Sequence, residues 1–310
     1  MNLQTKTKAY IAISTQSLII GLSFLFVKIA LRSSDTMTLL AHRFTVASIG
    51  ILIFRLIKPQ SIQLKPSDVW RIIPFSLLYP IAFFMFQTMG LTYITSSAAG
   101  IVNALSPVVT VILAGLILKE KITSMQTFCL LLSVSGMIFI NVMGGFGIGK
   151  QAYLGFFLCL LSVFAFAFYN VLIKRIVSNY STTAIVYVMT LTACIIFNIM
   201  ALLQHGIRGT LNHYFTAFTD IGFIIAMIYL AIPSSLLTSW LATYAITHLP
   251  SSTVGLFNNI PPVITLLVGV IFLRDPIHWY HIVGIAMILF GTVIFNLINH
   301  SIASSSHNQN

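Results

Sequence analysis

Two stretches of the chain place an amide side chain and a proline four residues apart inside strongly apolar sequence. They are Asn103 with Pro107 in SSAAGIVNALSPVVT and Asn258 with Pro262 in SSTVGLFNNIPPVIT. A proline within a helix cannot donate to the carbonyl one turn earlier. In both stretches that carbonyl belongs to the asparagine, so one residue presents a freed carbonyl beside its side-chain amide. Polar groups like these are costly in hydrocarbon and must face protein or a water-filled cavity. They suit hydrogen bonding of a polar solute; by themselves they make or break no covalent bond. Asn259, beside Asn258, is a further member of this set. The alternative role, bridging helices by amide hydrogen bonds, contributes about 0.6–2 kcal/mol per bond.

Other candidates lie near further proline breaks. Tyr79 and Gln87 flank the break at Pro74 and Pro80, and Ser239, Trp240 and Tyr244 follow the break at Pro233. Trp240 is deeper than the interfacial belt that tryptophan favours, and its ring could wall a site or simply pack against core or lipid. Tyr169, Asn170 and Gln16 are apolar-segment residues with hydrogen-bonding ends. His42 and Arg43 are the only adjacent ionisable pair inside an apolar run. Intramembrane charge marks function by default, so Arg43 is a candidate for a substrate carboxylate. It also lies close enough to a helix end to snorkel to headgroups. His42 titrates near neutral pH and is the candidate proton carrier; the lack of a mid-segment carboxylate argues against tight proton coupling.

The remaining chemistry-bearing residues read as structural. His278 and His281 sit three apart in HWYH without a third ligand nearby, which favours an interfacial aromatic cluster over a metal site. Cys129, Cys159 and Cys194 lie in apolar segments with no CxxC spacing and read as small packing residues. No carboxylate cluster, GxSxG or HExxH accompanies them, so neither an enzyme nor a resident metal or cofactor is expected, and a lipid-modifying enzyme is disfavoured. A channel would need a continuous pore, and a scaffold would not account for matched midplane amides.

The elements that position these residues are membrane helices. Hydrophobic residues make up 58% of the 310-residue chain and charged ones 7%, and mean hydropathy is +0.98. So little charge cannot cover the surface of a soluble domain. The expected fold is all-α integral membrane, with ten transmembrane helices near 8–30, 36–57, 70–90, 95–118, 125–143, 152–173, 181–203, 221–245, 251–273 and 279–299. The net charge of +11 comes from residues at helix ends, which argues for orientation signalling and against nucleic acid. With the N-terminus inside, ten basic residues fall on the cytoplasmic side (Lys6, Lys8, Arg55, Lys58, Lys65, Arg71, Lys119, Lys121, Lys174, Arg175). Five fall outside (Lys28, Arg32, Lys150, Arg208, Arg274). This predicts cytoplasmic N- and C-termini.

The register from Gly90/Ala245 to Asn141/Asn296 holds at one offset, pairing Ser97 with Ser252, Asn103 with Asn258, Pro107 with Pro262 and Gly136 with Gly291. An offset of 146 pairs Val27-Lys28 with Ile173-Lys174. Such matching marks an internal duplication. Five helices per copy reverse the second copy in the bilayer, giving inverted repeats over 1–147 and 148–299, followed by a disordered tail over 300–310. Inverted repeats with broken helices are the architecture of alternating access around a midplane site.

The Asn-Pro fourth and ninth helices, the basic-acidic pairs that end them (LKEKIT and LRDPIH), and Gly136 with Gly291 resemble the EamA-type branch of the drug/metabolite transporter superfamily. The resemblance spans nearly the whole chain. It implies a ten-helix secondary transporter in the plasma (inner) membrane, bacterial in type. The cargo it implies is a small polar metabolite, often an amino acid or derivative and often moved outward. A nucleobase, a vitamin or a drug-like compound is the alternative cargo. The partners expected are that small molecule and the lipid bilayer, with a monomer sufficient for activity.

Overall fold

In the computed structural model the described residues are 3–58, 64–118, 123–143, 150–173, 180–249, 257 and 260–307. They form helices and turns without strands. An apolar chain in lipid must satisfy its backbone internally, and helices do so segment by segment. Thirteen helices are described: α1 Leu3–Ala30, α2 Thr36–Ile57, α3 Pro66–Ser76, α4 Phe83–Tyr93, α5 Ser96–Asn103, α6 Ser106–Leu118, α7 Ser124–Met143, α8 Lys150–Ile173, α9 Thr182–Arg208, α10 Ile221–Ala231, α11 Thr238–His248, α12 Ile260–Leu273 and α13 Trp279–His307. Seven helical stretches are long and apolar enough to cross a bilayer. Three shorter apolar helices stand where the fifth, ninth and tenth spans are expected. The last helix continues to His307, past Asn299 where disorder is expected. Residues 301–307 contain no Pro or Gly, and extending an existing helix adds one bond per residue fixed.

Polar residues start the helices. The side chains of Asp35, Thr95, Ser181 and Asp220 each accept a hydrogen bond from a first-turn N–H of α2, α5, α9 and α10. These bonds satisfy donors that a helix cannot pair itself. Between α3 and α4 lies a wide turn, Leu77–Ala82, and between α10 and α11 lies another, Ile232–Leu237. In each, an N–H reaches back five residues, Phe83 to the Leu78 carbonyl and Thr238 to the Pro233 carbonyl. Pro80 and Pro233 mark these breaks, whereas Pro74 is accommodated inside α3.

The duplication runs further in structure than in sequence. The stretch α3, wide turn, α4 recurs residue for residue as α10, wide turn, α11 at the same 155-residue offset, and both end on an extended residue, Ile94 and Leu249. The N-caps of α2 and α9, Asp35 and Ser181, are related by the 146 offset.

Packing follows a pseudo-twofold rule. α2 lies against α9, and α7 against α13. α1 packs on α11 and α12, while α8 packs on α4 and α6. The helix that opens each half of the chain, α1 or α8, therefore packs on helices of the other half. The α7–α13 contact brings backbones together: a Cβ on Gly136 would lie 2.6 Å from the Gly284 carbonyl oxygen. Glycine is required there by the close approach.

Candidate functional site

Arg43 is on the second turn of α2, and it does not snorkel. Its side chain is buried, 1% exposed. The segment between α9 and α10 packs on its neighbour His42 at the same end of α2. Two short turns of 3-10 helix, Leu211–His213 and Thr216–Thr219, fold over this end of the bundle. They bury Tyr214 and Ala217 against α2 and α9 and cover the N-terminal end of α2.

The guanidinium meets the wide turn of the second repeat. Arg43 Nε donates to Ser235 Oγ at 3.3 Å, and Nη2 donates to Ser235 Oγ at 3.2 Å and Ser234 Oγ at 3.4 Å. All three are long for hydrogen bonds from a cation. Its Cζ stands 4.0 Å from the centroid of the Phe84 ring, at the start of α4, a cation–π contact. No ion pair to Arg43 occurs among the described residues. Ser235 Oγ in turn donates to the Leu230 carbonyl across the wide turn.

The wide turn of the first repeat supplies the aromatic side. Tyr79 takes an extended conformation within the turn, φ −139° and ψ 123°. This aims its ring at Phe83, Phe84, Phe166 and Tyr169, with centroids 5.1–5.6 Å away. The Tyr169 hydroxyl donates to Met189 Sδ at 3.8 Å. Gln87, one turn beyond Phe83 on α4, is buried on the same helix. Asn170 is half-buried next to Tyr169 on α8. The second break thus meets the guanidinium directly and the first reaches it through Phe84, with Ser234 standing where the first half has Tyr79. By the 146 offset the counterpart of Arg43 is Met189. The scaffold is duplicated and the side chains facing the site are not.

The other predicted residues distribute elsewhere. Asn103 ends α5, and a two-residue break separates it from α6, as the Asn-Pro pattern requires. Asn258 and Asn259 lie outside the described residues. Ser239 Oγ is tied to the Ser235 carbonyl at 2.9 Å. Trp240 stacks obliquely on Phe54 at 4.6 Å and is 38% exposed. Phe54 is eleven residues along α2 from Arg43, roughly 16 Å at helical rise, so Trp240 does not share the Arg43 pocket. Tyr244 packs at the Ala9/Ile13 cluster and against His248 at 4.4 Å. The Gln16 Oε1 atom on α1 is buried and has no hydrogen-bond partner among the described residues.

His42 faces away from the site, into the cover. Its Nε2 is 2.9 Å from the Tyr214 carbonyl and, since a carbonyl only accepts, Nε2 carries the proton. Tyr214, Phe215, Phe218 and Phe223 surround the ring. A second titratable pair, which sequence reasoning missed, lies beside it. His205 Nε2 is 2.8 Å from Thr38 Oγ1 and 3.7 Å from Asp35 Oδ2, and Thr38 Oγ1 donates to Asp35 Oδ2. The residues involved sit 170 apart on α2 and α9, so only the helix pairing reveals them.

Burial pushes the Asp35 carboxyl up, but hydrogen bonds from Thr38, Gln204 and the Met37 N–H outweigh this and hold it below its ordinary value. A carboxyl depressed in the folded state stabilises the fold above its unfolded pKa. That contribution is lost as pH falls through the lower folded value. Detergent-solubilised protein should therefore lose thermal stability on acidification below about pH 4. Asp35→Ala should flatten that acid limb and cost about 1 kcal/mol near neutrality through loss of the cap; melting curves across pH check both.

The long apolar helices describe a multi-pass, all-α membrane protein. The chain belongs to the EamA-like transporter family, whose model matches residues 7–142 and again 153–297. It is 38% identical over 292 residues to the uncharacterized transporter YcxC of Bacillus subtilis (strain 168), covering 94% of each chain. It is 24% identical to the uncharacterized transporter YetK of the same organism, covering 92% of this chain and 86% of the relative. A solved crystal structure superposes with a TM-score of 0.66 at 16% identity, covering 96% of this chain and 99% of the other, a likeness of fold.

Proposed function

We propose that this protein is a secondary transporter that exports a small polar metabolite, an amino acid or related compound, by alternating access of its two repeats. The observation that carries the reading is that Arg43 joins the second wide turn, through Ser234 and Ser235, to Phe84 just past the first, against whose ring Tyr79 of the first wide turn lies. Wide or broken turns leave backbone and hydroxyl groups able to re-pair with a solute. Rocking of one helix set against the other would open this junction to each side in turn, with the N- and C-termini cytoplasmic. His42, held against the Tyr214 carbonyl, is the candidate proton carrier of this cycle.

The test is counterflow in proteoliposomes preloaded with unlabelled pools of amino acids, nucleobases or vitamins. The amino-acid pool should drive uptake of its own labelled members. Uptake driven only by nucleobases or vitamins would redirect the cargo. Uptake driven by no pool, from folded protein, would remove the reading.

A further inference from the structure

A guanidinium presents five N–H donors in a planar fork that matches a carboxylate. Arg43 spends three long contacts on two neutral hydroxyls and lies over the Phe84 ring, with the Phe44 ring further off at 5.8 Å. Its Nη1 has no hydrogen bond among the described residues. A buried cation left with such partners is expensive in a membrane bundle, because neutral hydroxyls return little of its lost hydration. A structural arginine is ordinarily paired with an acid. The chain has only five acidic residues. Of those described, Asp35 and Asp220 cap their own helices, Asp68 bonds the Lys65 N–H and the Tyr180 hydroxyl, and Asp275 bonds Ser97. None serves Arg43.

Resting on the transport reading above, we propose that the cargo is a monocarboxylate whose carboxylate replaces Ser234 and Ser235 as the partner of Arg43. The two serines hold the fork in place while the site is closed, and their long bonds make them easy to displace. One guanidinium with no second cation in contact balances one negative charge, which suits a carboxylate better than a phosphate dianion. The rings of Tyr79, Phe83, Phe166 and Tyr169, each half-buried, offer an apolar wall for the rest of the molecule. The class is a small carboxylate, zwitterionic or not, with an apolar or flat side group. A neutral nucleobase or a simple amine gains nothing from the fork.

The experiment compares matched probes in proteoliposome counterflow: phenylalanine, phenylalaninamide and phenethylamine, then leucine, leucinamide and isoamylamine. With wild-type protein the acids should move at least about tenfold faster than their amides and amines, one charge-assisted bond's worth of discrimination. Arg43→Gln should bring the acids down to the amide rate, and Arg43→Lys, which keeps charge but loses the fork, should recover only part. Amides moving as fast as acids through wild type would overturn the carboxylate assignment and leave the transport reading standing. Movement of none of the six by monodisperse, thermally intact wild type would overturn the assignment. Whether transport falls with it is decided by the separate pool experiment above.

Discussion

Arg43→Met should stop transport and raise the melting temperature together. Methionine fills a similar volume beside Phe84 without a charge, so it removes the desolvation cost of a buried cation, several kcal/mol. It gives up three long, weakened serine bonds and a cation–π contact, which offset part of that gain. The balance favours the variant by roughly 1 kcal/mol, or about 2–4 °C in a chain of this size. Transport at low substrate should fall by about 100-fold, since two charge-assisted bonds to the cargo are lost. An arginine retained as helix glue would behave oppositely, losing stability and sparing flux. Thermal melts beside counterflow rates separate the two.

The second large effect concerns the junction of α5 and α12. Asp275 Oδ2 accepts from the Ser97 N–H at 2.9 Å and from the Ser97 hydroxyl at 2.8 Å, joining the end of α12 to the start of α5. To turn back in this way the chain places Arg274 at φ 56°, the left-handed region that a non-glycine residue enters at a cost. Gly269 leaves the room: a Cβ there would press on the Ser97 hydroxyl and lie 2.6 Å from Asp275 Oδ2. Asp275→Ala should lower stability by about 1–3 kcal/mol, because the Ser97 N–H is left unpaired. Gly269→Ala should act in the same direction by displacing the same carboxylate. The double variant should be little worse than either single, which is the mark of one shared contact. Melting curves of the three variants read this out, and strict additivity would refute it.

Much of this was legible in the residues. The 155-residue register and the Asn-Pro pattern predicted a broken fourth helix, and α5 and α6 part directly after Asn103. Pro80 and Pro233 predicted the breaks of the third and eighth helices. The pairing of those breaks was hidden, because Leu77–Ala82 and Ile232–Leu237 share no residue identity in register; the backbone repeats where the side chains have diverged. Arg43 shows the other limit. Counting residues from the helix end leaves its head within reach of the interface. Its burial comes with Ser234, Ser235 and Phe84, far away in sequence, while Tyr214 and Ala217 of the 209–220 loop pack over the end of α2. A loop of that length does not announce by composition which helix end it folds over. The same cover explains why His42 pairs with a backbone carbonyl, whereas Asp35 and His205 meet through the packing of α2 on α9. Trp240, prominent in sequence for its depth, belongs to a different contact, with Phe54.

The measurement that bears most directly on the site is thiol labelling at Ser235→Cys, in protein with Cys129, Cys159 and Cys194 replaced. Membrane-impermeant reagent is applied from either side of sealed proteoliposomes. If the junction of the two wide turns is the alternating site, the cysteine should react from both sides, and a transported acid should slow both reactions. Reaction from one side only, at a rate that saturating cargo leaves unchanged, would contradict it.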